Sequence, residues 1–132
     1  MTESTAAVAH QYIAAMASDD PGALLALFAD DIVWHQPGAN QFSGVKYGGH
    51  TVGAMIGTMM GVSNGTFALE SAGAPMINGD LAVLPIRFSG KREGMEMSMD
   101  GIDLLRIEDG KVAEAWLFSA DQIAEDAFWG QA

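Results

Sequence analysis

Cysteine is absent from this 132-residue sequence. That excludes disulfides, thiol nucleophiles and thiolate metal sites, and a cytoplasmic location is the expectation that fits. Positive charge is scarce: 6 Lys and Arg stand against 17 Asp and Glu, a formal net charge of -11. So acidic a chain repels phosphate backbones and anionic headgroups, so nucleic acid and membrane are not expected partners. A long hydrophobic run is missing as well. The apolar stretch TVGAMIGTMMGV is too short and too rich in glycine to span a bilayer. MTESTAAVAH lacks the basic region and apolar stretch of a signal peptide, so none is expected. No repeat, linker or low-complexity segment interrupts the chain, and its length suits one domain.

What is present reads as helices followed by hairpins. Val8, Tyr12, Ile13 and Met16 recur at helical spacing, which predicts a helix over residues 4 to 17. Asp20-Pro21 has the form of an N-cap with proline at the first helical position, and it opens a second helix with stripe Leu24, Leu27 and Phe28. A short strand, IVWHQ, ends at Pro37-Gly38, and a loop of about a dozen residues follows. Residues 50 to 62 predict a loose helix, because Gly53, Gly57 and Gly61 each cost about 1 kcal/mol against alanine. Four strands come next: FALESAGAPMI, LAVLPIRFSG, MEMSMDGIDLLRI and KVAEAWLFS, separated by turn residues. Ser119 to Gln122 has capping-box spacing and opens a last helix with apolar Ile123, Ala127 and Phe128. This order predicts an α+β fold, with helices gathered on one face of a sheet.

One strand carries the chemistry. Side chains alternate faces along a strand, so Met95, Met97, Met99, Gly101, Asp103 and Leu105 share a face. A carboxyl group at the end of a methionine row loses hydration, which raises its pKa and suits it to donate a hydrogen bond or carry a proton. The competing possibility is that Asp103 lies at a rim, or that a bulge at Gly101 turns it to solvent.

The segment YIAAMASDDPGALLALFADDIVWHQPG resembles the opening of the nuclear transport factor 2-like superfamily, particularly its SnoaL-like polyketide cyclase and ketosteroid isomerase branches. VWHQPG followed by a glycine-rich loop and EAWLFSADQIAEDAFW are both typical of SnoaL-like domains, and the resemblance covers nearly the whole chain as one domain, residues 1–132. It implies a curved, mixed but largely antiparallel sheet, wrapped by three to four helices into a cone with an apolar pocket. It also implies that Tyr12 and Asp103 form an oxyanion-binding pair, and that Met55, Ile86, Phe88 and Met99 line the pocket. Met59 joins them on the glycine-containing helix. The resemblance further places Trp34 and Gln36 toward the pocket.

Gln36 stands where the isomerases carry their aspartate base, and an amide does not take a proton from carbon at useful rates. His35 titrates in the right range for a base, but alternation turns it away from the face of Trp34 and Gln36 unless a twist before Pro37 brings it back. His10 and His50 are expected at the surface. The three histidines show no metal-ligand spacing, so no metal or other cofactor is expected. The aspartate–arginine pattern of epoxide hydrolase relatives is missing from VLPIRFS. For a cyclase, Asp103 is the natural acid/base; Asp100 has the wrong parity. The activity implied is acid/base chemistry on a hydrophobic carbonyl compound. The alternative is a binding protein that uses the same pocket without turnover. Ile102, Leu104, Trp116 and Phe118 share the outer sheet face, which implies a homodimer unless Phe128 and Trp129 fold back over it.

Overall fold

The structure, a computed structural model, describes residues 4–18 and 20–131. Ser4 caps helix α1 (Thr5–Ala17) by accepting from the Ala7 N–H, as a serine N-cap does. The helix buries Val8, Ala9, Tyr12, Ala15 and Met16, the face its spacing predicts. Asp20 caps α2 (Pro21–Leu25), which is one turn shorter than its apolar stripe suggests. Phe28 instead begins β1 (Phe28–Gln36), so the strand read as IVWHQ starts four residues earlier.

Inside the expected loop runs a short strand, β2 (Gly44–Tyr47), paired antiparallel with the end of β1. After α3 (Gly49–Val62), the segment predicted as one strand is broken into β3 (Ala68–Ser71) and β4 (Met76–Asn78). Both pair with β5 (Leu81–Arg92), and the break falls opposite Leu84 and Pro85. Proline cannot donate to a ladder, and here the neighbouring strand stops beside it. Then β6 (Met95–Glu108), β7 (Lys111–Ser119) and helix α4 (Gln122–Trp129) complete the chain.

The sheet order is β2-β1-β7-β6-β5-β3, with β1 and β7 parallel and the other pairs antiparallel. The mixed α+β architecture is thus the one predicted. Helices α1 and α3 pack on the concave face, where Tyr12, Trp34, Val52, Met55, Leu84 and Leu105 meet in one core. The N-cap of α4 is Asp121, which accepts from Ala124; Ser119 is used elsewhere. Ile123 is 85% exposed and Ala127 is also exposed, while Glu125, Phe128 and Trp129 are buried. Phe128 and Trp129 pack into the core, Trp129 with its ring edge-on to Phe42 and Phe67, so they do not cover the outer sheet face. On that face Ile102 and Phe118 are exposed and Leu104 and Trp116 are partly buried. Among the described residues, no helix is long and apolar enough to cross a membrane.

Candidate active site

The alternation read from β6 is observed. Met97, Met99, Asp103, Leu105 and Ile107 point inward and are buried, whereas Ser98, Asp100 and Ile102 are exposed; Met95, at the strand start, is exposed despite its parity. No bulge interrupts Gly101, because β6 pairs residue by residue with β5 on one side and with β7 up to Arg106 on the other. Gly101 itself meets a steric requirement. A Cβ there would lie 2.6 Å from the Phe118 carbonyl oxygen and 2.9 Å from the Phe88 ring. Asp103 is therefore held inward on a regular strand, 2% exposed.

Above it lies a cavity of about 430 Å³. Its walls come from nearly every element: Tyr12 and Met16 of α1, Leu24 of α2, Trp34 and Gln36 of β1, and Met55, Met59 and Met60 of α3. Ile86 and Phe88 of β5, Asp103 of β6, Leu117 of β7 and Glu125 of α4 close it. Methionines fill one wall, and their unbranched, polarizable side chains adapt to an apolar guest.

The Tyr12 hydroxyl donates to Asp103 Oδ2 at 3.1 Å across 91 residues of sequence. Asp103 Oδ1 is buried and has no partner among the described residues. Burial drives the Asp103 pKa up to about 7, only partly opposed by the Tyr12 hydrogen bond. The phenol of Tyr12 is pushed well above its ordinary value, first by burial and then by the adjacent carboxyl group, so it remains a donor at all working pH values. A carboxyl that titrates near neutrality can both give and take a proton there.

Two of the expected site residues lie elsewhere. His35 faces the outer side of the sheet, as parity dictates: its Nε2 is 2.7 Å from Glu114 Oε2 and its ring stacks on Trp116. It does not line the cavity that Asp103 and Tyr12 share. Met99 is buried on the correct face but pairs alongside Phe88 without reaching the cavity wall. Tyr12, Trp34, Gln36, Met55, Met59, Ile86, Phe88 and Asp103 all line the cavity.

Of the lining residues not anticipated from the sequence, Glu125 is the most informative. Glu125 is 4% exposed, and its carboxyl group accepts from Trp129 Nε1 and Gln122 Nε2, each at 3.1 Å, and from the Ser119 hydroxyl. The signal available in the sequence was the i, i+4 pair Glu125 and Trp129 in EDAFW, in which a donor-only indole sits one turn from a carboxylate. Beside it, Asp126 ties α4 to the β1–β2 loop through Asn40 and the Ala39 N–H. Gly38, at φ +85, allows that approach, since a Cβ would stand 2.2 Å from both Gln122 and Asp126. Among the described residues, no three His, Asp or Glu side chains converge as a metal-binding group.

The SnoaL-like domain profile matches residues 9–115. The chain belongs to the SnoaL-like domain family. Among solved structures, this SnoaL-like domain is similar to a Xanthomonas campestris protein of unknown function with a cystatin-like fold. The two are 48% identical, with a TM-score of 0.91 over 97% of this chain and 99% of the other. A nuclear transport factor 2-like protein from Burkholderia xenovorans shares 19% identity over 98% of each chain, with a TM-score of 0.72. A Catenulispora acidiphila protein with a ketosteroid isomerase-like fold, solved with trimethylamine, shares 15% identity over 90% of each chain at a TM-score of 0.71. The last two likenesses establish the shared nuclear transport factor 2-like fold. No curated protein matches the chain.

Proposed function

We propose that this SnoaL-like domain is an acid/base enzyme acting on a hydrophobic carbonyl compound, as a cyclase or isomerase does. One observation carries the reading: Asp103 is buried on an apolar cavity, bonded on one oxygen by Tyr12 and unpaired on the other. An unpaired buried oxygen costs stability unless something meets it. In the neutral form, the Oδ1 proton donates to a ligand carbonyl oxygen. In the ionised form, Oδ1 removes a proton from the adjacent carbon. The C–H pair then becomes a C–C π bond, and the carbonyl π pair moves to oxygen as an enolate. The proton on Asp103 goes back to the enolate oxygen or to another carbon; alternatively, the enolate carbon attacks a second carbonyl carbon of the same molecule, the π pair of that carbonyl moves to its oxygen, and this oxygen takes the Asp103 proton as the ring closes and the first carbonyl re-forms. Tyr12 keeps donating to Oδ2, spreading the charge that Asp103 gains and loses. The Gln36 amide takes no part as a base.

The reading is tested by α-proton exchange of 1-tetralone in D2O, followed by proton NMR. The protein is expected to accelerate exchange, and Asp103→Asn to lower the acceleration by about 1000-fold while ligand affinity stays within a few-fold. Binding of the ketone with exchange no faster than in buffer would instead favour a binding protein.

A further inference from the structure

Trp34 and Gln36 stand two residues apart on the inner face of β1, 4% and 7% exposed, and both line the cavity. Trp34 Nε1 donates to Gln36 Oε1 at 2.9 Å. An indole N–H is a donor only, so the end of the amide that meets it must be the oxygen. The amide is thereby fixed in one of its two orientations. Its NH2 group has no partner among the described residues, and the only buried, unpartnered side-chain polar atom among them is Asp103 Oδ1. The Gln36 nitrogen is therefore accessible, and on a side chain that lines the cavity and is nine-tenths buried, it is accessible to the cavity.

We propose that Gln36 is a specificity-determining residue: held by Trp34 with its NH2 toward the cavity, it donates to a second acceptor oxygen of the bound molecule. The ligand class is then an apolar compound with two carbonyl-type oxygens, one for Asp103 and one for Gln36. The first of these assignments rests on the function proposed above; the second stands on the Trp34–Gln36 geometry. A site built to hydrogen-bond an oxygen discriminates strongly against an analogue that lacks it, because the buried donors are then left unpaired. Trp34 acts as a positioning residue, since without its indole the amide is free to turn and present its oxygen instead.

The test uses two matched probe pairs measured by isothermal titration calorimetry: 1,4-naphthoquinone against 1-tetralone, and 2,2-dimethylindane-1,3-dione against 1-indanone. In at least one pair, the native protein should favour the dicarbonyl by about tenfold, the size expected of one hydrogen bond to a neutral acceptor. The preference should collapse to about one in Gln36→Met. Gln36→Glu, compared with the native protein at alkaline pH so that its carboxylate is ionised, keeps an acceptor for Trp34 but has no donor; it should lose the preference too, and this separates ligand recognition from a purely structural tie. A native preference below about twofold in both pairs overturns the proposal, as does a preference that survives both substitutions. Absence of binding by all four probes counts against this proposal and the acid/base reading together. The acid/base reading fails alone if 1-tetralone binds without accelerated α-proton exchange, whatever the ratio.

Discussion

Asp103 and Glu125 line the same cavity and are almost equally withdrawn from solvent, at 2% and 4% exposure, yet their surroundings are opposite. Glu125 is met by three donors, on both of its oxygens. Asp103 is met by one donor, on one oxygen. Depth alone therefore does not mark a reactive group; the count of partners does. Three donors already occupy most of the acceptor sites of Glu125, and its partners Ser119, Gln122 and Trp129 join β7 to both turns of α4. Asp103 has an oxygen that only a guest can satisfy, and the polypeptide bears the cost of keeping it so.

That cost is the largest effect by which the comparison can be broken. The folded-state pKa of Asp103 is raised from 3.8 to about 7. Between those values the folded protein keeps a proton that the unfolded chain has released. Stability is therefore fully present below about pH 4, falls as pH rises toward 7, and levels off above it. The loss amounts to at most about 4 kcal/mol. Urea unfolding from pH 4 to 8 should show this decline in the native protein, and Asp103→Asn should flatten it. A native profile as flat as that of the variant would place Asp103 in the same class as Glu125.

Glu125 is expected to respond with the other sign. Glu125→Ala strands the buried indole N–H of Trp129 and removes the part-buried bonds from Ser119 and Gln122, and should cost about 3 kcal/mol at pH 7. Over the same range Asp103→Asn stabilises. Chemical denaturation of the two variants side by side measures both signs, and equal signs would erase the distinction.

The same two residues show what the sequence makes legible. Strand parity over β6 placed Asp103 inward and Asp100 outward, and parity over β1 separated Gln36 from His35, because alternation is fixed by backbone geometry and persists over many residues. Helix α4 spans eight residues, too few for a periodic signal, and hydropathy favours burying Ile123 over Glu125. The observed rotation is set instead by Asp121 as cap and by partners distant in sequence, Asn40 and Phe42 among them. Strand β2 went unread for a related reason: GVKY is only four residues long and bounded by Gly44 and Gly48, too short for alternation to show, and its pairing is dictated by β1. The break between β3 and β4 depends on Pro85 in the neighbouring strand, which no local window contains.

Asp126 supplies a third, milder point on the scale. It is half-buried next to Glu125, and one of its oxygens, Oδ1, accepts from Asn40 Nδ2 at 2.8 Å, Gln122 Nε2 at 2.9 Å and the Ala39 N–H at 3.1 Å. Burial pushes its pKa up, but the hydrogen bonds from Asn40, Gln122 and Ala39 outweigh burial and leave it below the ordinary carboxylate value. A depressed folded pKa stabilises above the unfolded value, and the contribution is lost as pH falls through the folded one. The sign is thus opposite to that of Asp103. Asp126→Asn should cost about 1 kcal/mol at pH 7, where the native carboxylate is charged and accepts from three donors, and less at pH 3. Because Asp126 ties α4 to the loop that carries Gly38, the loss should appear first as faster amide exchange at Ala39, measured by hydrogen–deuterium exchange. Equal cost at both pH values would mean that the hydrogen-bond geometry, rather than the charge, holds this end of the cavity closed.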